Sequence, residues 1–251
     1  MTAFFMAWQM FLWIPCPKTV WDENKRVDML MCLPAIGIII GALWYCIFVM
    51  ITLFAPTFPK VLCALFAFFP WLLTGFMHLD GYMDCADAAL YFGNHDKKLQ
   101  ILKDSHVGSF AVISMALIAV FQYSACSQMA TNMPTLKEAL CFVLIPVISR
   151  SKSVADVLKH PALPTSSYAS VTDSITDKRI TIVPWISILV CMIISYIFAG
   201  WRYSCALVIG LLVQSLSMHY LRKNLGGMSG DVSGSGITVG ELASLIAVAF
   251  V

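Results

Sequence analysis

At 251 residues, with 59% hydrophobic and only 12% charged, the chain departs from soluble domains, which are roughly 45–50% apolar and about 25% charged. That composition argues against a water-soluble globule, and a net charge of +2 is too small to make nucleic acid the main partner. It predicts an all-α, polytopic integral membrane protein, one domain over residues 1–251, whose first partner is the lipid bilayer.

In chain order, residues 2–13 are apolar and aromatic but interrupted by Gln9 and closed by Pro15 and Pro17. Residues 1–16 therefore suit an in-plane anchor, and with no basic start a cleaved signal peptide is disfavoured. A bilayer core of about 30 Å needs about 20 apolar residues per helix. Stretches 29–54, 61–77, 108–129, 136–148, 180–200, 203–221 and 237–251 are the candidates, which predicts about six to seven transmembrane helices. The second is expected to run without a turn into His78. The fourth and seventh are short, and ten residues after Glu241 climb only about 15 Å, so the last segment is open to being a half-span or re-entrant helix.

Of sixteen Lys and Arg residues, Lys60, Lys137 and Arg202 fall on one side of this parsing. The remainder, Lys178 and Arg179 among them, gather on the other, and cytoplasmic loops are enriched in such residues. Residues 78–107, 150–179 and 222–236 are thus expected as cytoplasmic loops, with short outer connectors near Pro56, Asn132 and Trp201. A multi-pass protein of the cell inner membrane, its active site facing the cytoplasm, follows. The nine cysteines lack paired short spacings and read as apolar fillers. No internal repeat supports an inverted-repeat transporter.

The chemistry concentrates in three places. In His78-Leu79-Asp80-Gly81-Tyr82-Met83-Asp84-Cys85-Ala86-Asp87, helical spacing i, i+4, i+7 stacks Asp80, Asp84 and Asp87 on one stripe. Like charges so placed repel unless a cation neutralises them, and oxygen ligands alone favour Mg²⁺, Mn²⁺ or Ca²⁺, with Mg²⁺ bridging to substrate phosphates. Gly81 removes a side chain beside the stripe where a ligand approaches. Lys103-Asp104-Ser105-His106 precedes the third span; Asp104 either completes the metal site or caps the helix. The glycine-rich run from Gly226 and Gly227 through Ser229 and Asp231 to Gly236 suits a phosphate-cradling loop, or a merely flexible one. Arg150 falls part-way across the membrane, where a cation needs a partner or an aqueous cavity. His78 and His106 either contact phosphate or cap and pack.

The run HLDGYMDCADAAL, the later KDSHVG and the GGMSGDVSG element resemble the adenosylcobinamide-GDP ribazoletransferase (cobalamin synthase) family, and FLWIPCP and LPAIG are similar to its early proline-containing segments. The resemblance covers most of the chain. It implies an Mg²⁺-dependent membrane enzyme that joins adenosylcobinamide-GDP to α-ribazole or its 5′-phosphate, releasing GMP and forming adenosylcobalamin or its 5′-phosphate, and it is compatible with a homo-oligomer. Carried over by position, the catalytic residues are Asp80, Asp84, Asp87, Asp104 and Asp231, with the metal on the first four. Substrate contacts fall to His78, Gly81, Lys103, His106, Arg150, Gly226, Gly227 and Ser229. His106 stands where many members carry Arg, and Ser229 where Thr is expected. The alternatives are a prenyltransferase-like diphosphate enzyme, which wants a second comparable aspartate motif, and a cation transporter, which wants acids at the midplane.

Overall fold

The structure, a computed structural model, describes residues 1–55, 59–131, 133–164, 166, 168 and 181–251. The expected connectors at Pro56 and Asn132, and the basic pair Lys178 and Arg179, lie outside the described residues. Among the described residues the fold is all-α. Its only β pairing there is one isolated bridge, Ala162 with Met228.

Helix α1 (Thr2–Phe11) is tucked against the bundle, burying Met6, Ala7 and Phe11, and the Trp13 N–H donates to the Leu73 carbonyl at 2.8 Å. A short α2 (Arg26–Met31) leads into α3 (Leu33–Phe54), which Pro34 initiates with its φ already set for the first turn. The chain continues through α4 (Lys60–Leu73), α5 (Met77–Leu90), α6 (His95–Ile101), α7 (Ser109–Met129), α8 (Cys141–Lys159), α9 (Val183–Phe198), α10 (Trp201–Leu225) and α11 (Gly230–Ala249). Four of these, α3, α7, α10 and α11, are long and apolar enough to cross a membrane, and α4 with α5 makes a fifth if the bent pair is one span. Helix α9 is apolar but has only 16 residues. Helix α8 is buried along nearly its whole length despite Arg150, Lys152 and Asp156.

Three expectations need correction. The second span does not run straight into His78: α4 and α5 meet at 87°. Gly75 (φ 57°) and Phe76 (φ 63°) are left-handed there, and two such residues cannot continue a right-handed helix. Phe76 is the one described non-glycine residue at positive φ. The glycine-rich run is not a loop through Gly236, because α11 begins at Gly230 and gives the last apolar helix 20 residues, long enough to cross a membrane. The ranges expected as loops are largely helical, since α5 and α6 occupy much of 78–107, α8 runs to Lys159, and α10 and α11 leave only a short connector at 226–229.

Without an aqueous driving force inside a bilayer, helices associate through close packing of small residues and through buried polar contacts. Both are present. Gly37 and Gly41 of α3 lie directly against the α8 backbone at Pro146 and Val143. An aromatic knot of Trp44, Phe48, Phe66 and Phe142 fills one half of the bundle, Phe66 meeting Phe142 edge-on at 4.9 Å. A polar seam runs through the centre. Arg150, 1% exposed, donates from Nη1 to Glu241 Oε1 at 2.5 Å, and Ser149 Oγ donates to the same oxygen at 2.7 Å. Lys152 pairs with Asp156, and Ser153 meets Ser233.

Candidate active site

Helix α5 lies against both α7 and α11. Its approach to α11 depends on Gly81, where an added Cβ would stand 2.8 Å from the Asp231 Cα, and on Gly234, whose missing side chain leaves room for the His78 backbone. Thr238 Oγ1 donates to the His78 carbonyl at 3.1 Å and fixes the register. This packing brings Asp231, in the first turn of α11, to the stripe formed by Asp80, Asp84 and Asp87. Asp84 feels the negative charges of Asp80, Asp231 and Asp87, and Asp231 feels that of Asp80. The helical stripe expected from spacing is therefore present, with a fourth carboxylate added from a helix over 140 residues later in the chain.

The four carboxylates are not equivalent. Asp87 accepts from the Gly108 N–H at Oδ2 (2.6 Å) and from the Ala111 N–H at Oδ1 (2.9 Å). It satisfies orphan donors at the start of α7, a capping role served from another helix. Asp231 receives a long hydrogen bond from Ser229 Oγ, 3.4 Å. Asp80 and Asp84 have no hydrogen bond or ion pair among the described residues. No group of three or more His, Cys, Asp or Glu side chains among the described residues converges into a ready-made metal cage. The donor set nonetheless fits a hard divalent cation. Free carboxylate oxygens line one ridge, and Mg²⁺ characteristically takes one or two of these and completes its shell with water and substrate phosphate.

Beside the ridge a cavity of about 210 Å³ opens between α1, α5 and α11, lined among others by Met10, Phe11, His78, Asp80, Tyr168 and Asp231. It pairs an apolar wall with an acidic one. The His78 ring stacks on Phe11 at 6.1 Å, and its Nε2 is buried without a hydrogen-bond partner. Phe11 and Tyr168 escape a sequence reading, as nothing in the local pattern points either of them at the aspartates.

Apart from Ser229, which touches Asp231, the remaining predicted residues lie off the ridge. Asp104 does not join the ridge; it sits in an exposed turn, accepting at Oδ1 from the His106 backbone N–H (3.0 Å) and lying 2.6 Å from His106 Nδ1. The His106 ring bond, then its backbone N–H, hold the Asp104 carboxyl below the ordinary carboxylate range. Lys103 is exposed beside it. Arg150, expected to need a partner, finds Glu241, a pairing the sequence does not indicate because 91 residues separate them. At the glycine connector, Gly226 (φ 93°) ends α10 with its N–H donated to the Arg222 carbonyl at 2.9 Å. Gly227 packs on the backbone of Ala162 and Leu163, and the Met228 N–H donates to Pro161. The Gly226 and Met228 N–H groups are thus used within the fold, which makes the connector a tight splice between α10 and α11. Ser229 caps α11, accepting from the Val232 N–H at 3.2 Å.

Comparison with known proteins gives a consistent result. The chain matches the family described as cobalamin-5-phosphate synthase over residues 3–249. It is 33% identical to an adenosylcobinamide-GDP ribazoletransferase of Clostridium perfringens (strain 13 / Type A), over 97% of this chain and 96% of that protein. A protein of the same name from Clostridium botulinum (strain Alaska E43 / Type E3) is 32% identical, over 96% and 94% respectively. One from Acinetobacter baumannii (strain ATCC 17978) is 29% identical over the same shares. No solved structure matches.

Proposed function

Because the chain belongs to the cobalamin-5-phosphate synthase family, we propose that it is an adenosylcobinamide-GDP ribazoletransferase. It joins adenosylcobinamide-GDP to α-ribazole or α-ribazole 5′-phosphate, releases GMP and yields adenosylcobalamin or its 5′-phosphate. In this reading it works in the inner membrane with the acidic ridge on the cytoplasmic side, and its cofactor is Mg²⁺. The observation that carries the reading is the gathering of Asp80, Asp84, Asp87 and Asp231 beside a cavity, with no Lys or Arg paired to any of them among the described residues.

In the reaction the ribazole 3′-hydroxyl attacks the phosphorus bonded to cobinamide. A new P–O bond forms as the bridging P–O bond to guanylate breaks, the electron pair leaves with GMP, and the hydroxyl proton passes to a carboxylate of the ridge that is free of other contacts. Phosphoryl transfer is accelerated mostly by positioning and charge neutralisation. Asp80, Asp84 and Asp231 would hold Mg²⁺, which when bound supplies neutralising charge for the diphosphate and the departing phosphate. Asp87 contributes differently, tying α5 to the start of α7 so that the ridge stays aligned.

The test is GMP release from membranes supplied with adenosylcobinamide-GDP, α-ribazole and Mg²⁺. Chelation should stop it and Mg²⁺ restore it. Asp84→Asn should lower turnover by about 100-fold or more, the scale of losing one charge-stabilising group at a reacting centre, whereas Asp104→Asn should change it little. Wild-type turnover in Asp84→Asn, or full activity after chelation, would remove the ridge from the mechanism.

A further inference from the structure

At the end of the bundle remote from the aspartates, two hollows share a wall. One is an apolar groove of about 630 Å³ between the first turns of α10 and the last turns of α11, floored by Cys205, Ile209, Ala243 and Ile246. The other is a polar hollow of about 300 Å³ that includes Glu138 and Tyr203. Trp201, Arg202 and Val251 border both. Neither Arg202 nor Glu138 forms an ion pair among the described residues. The Arg202 guanidinium lies 5.8 Å over the Trp201 ring. Glu138 accepts from the Thr135 N–H and hydroxyl at one oxygen, Oε2, both at 2.7 Å, and no hydrogen bond reaches its Oε1 among the described residues.

We propose that the two hollows together bind one aminophospholipid, with its phosphate on Arg202, its ammonium on Glu138 and an acyl chain along the α10–α11 groove. The charge pattern selects this occupant. Among its side chains the hollow offers one cation, Arg202, and one anion, Glu138, which complements a zwitterionic headgroup, whereas a purely anionic headgroup leaves Glu138 facing negative charge. Arg is also the side chain whose planar donors match phosphate. The surroundings agree: Trp201 is 64% exposed, and Trp, an apolar ring with a polar N–H, favours the level of lipid headgroups. The groove continues from that level down an apolar face, the geometry of a lipid with its head at the rim. A second copy of the chain would have to bring both an apolar ridge and a matched ion pair to the same place. This inference stands apart from the reaction proposed above, as it uses neither the aspartates nor the cavity beside them.

The test uses the purified full chain, stripped of lipid by detergent exchange and incubated with phosphatidylethanolamine, phosphatidylcholine or phosphatidylglycerol of matched acyl chains, with retained lipid read by native mass spectrometry. The expected result is one phosphatidylethanolamine per chain, retained about tenfold better than phosphatidylcholine, whose trimethylated nitrogen offers no N–H, or phosphatidylglycerol, which has no cation; tenfold corresponds to about 1.4 kcal/mol. Arg202→Ala should lose retention of all three, and Glu138→Gln should lose the preference among them while keeping the wild-type unfolding profile. Equal retention of the three lipids by the wild type, or undiminished preference in Glu138→Gln, would overturn the proposal whatever the fate of Arg202→Ala. So would a dimer that excludes lipid and dissociates on Arg202→Ala, which would assign the groove to a second copy.

Discussion

Gly81→Ala tests whether the candidate site depends on the contact between α5 and α11. In a free helix this substitution would gain about 1 kcal/mol in propensity. Here the added Cβ stands 2.8 Å from the Asp231 Cα and 3.2 Å from its carbonyl oxygen, while carbon atoms pack favourably only from about 3.5 Å. Both obstructing atoms are backbone, so no rotamer change relieves them, and α11 must retreat by about 0.7 Å at the level of Asp231. Overpacking of this kind costs about 1–3 kcal/mol, which outweighs the propensity gain or cancels it. The larger consequence is kinetic, because a displacement near 1 Å of a positioned group can lower a rate by about 100-fold. The assay is GMP release alongside unfolding in detergent, with Gly230→Ala as the steric comparator, since a Cβ at Gly230 meets nothing within 4 Å. Gly81→Ala should fall in kcat far more than in stability, and Gly230→Ala should be at least as stable as wild type. Undiminished kcat in a more stable Gly81→Ala protein would show slack between the helices and refute the reasoning.

Two further outcomes follow from the buried and exposed ion pairs. Glu241→Leu strands the Arg150 guanidinium in the centre of the bundle, where removing one partner of a buried pair costs about 3–5 kcal/mol. Adding Arg150→Met should recover most of that loss in a double-mutant cycle read by denaturant unfolding, and strictly additive costs would disprove the pairing. At the exposed turn, His106→Ala should let the Asp104 carboxyl rise toward its ordinary range, followed by carbon-detected NMR titration. A carboxyl depressed in the folded state adds stability above its unfolded pKa and loses it as pH falls through the folded value. Because the pair is exposed and screened by solvent, His106→Ala should lower stability at neutral pH only slightly and leave GMP release unchanged, and an unmoved Asp104 titration would show that His106 is not the cause.

What is legible in the sequence divides along the range over which each feature is determined. The ridge of Asp80, Asp84 and Asp87 is legible because helical periodicity alone puts i, i+4 and i+7 together, and a run of apolar composition suffices to mark α3, α7 and α10 as spans. The break between α4 and α5 is less so, although Thr74 and Gly75 are a turn signal in a stretch whose apolarity hides it. The pairing of Arg150 with Glu241 and the arrival of Asp231 are set by contacts across the bundle, and no local pattern encodes them. The glycine-rich run shows why composition misleads in a membrane protein. In water, glycine inside a helix is a liability, and Gly226 to Gly236 reads as a loop. In a bundle, where helices must satisfy their own backbone and gain from close approach, glycine is how two backbones come within reach of each other. Gly234 serves that end against His78, as Gly81 does against Asp231. The same residues that look like a flexible cradle are thus what lets a carboxylate on α11 reach the three on α5. The acidic site is a product of helix packing as much as of the aspartates themselves.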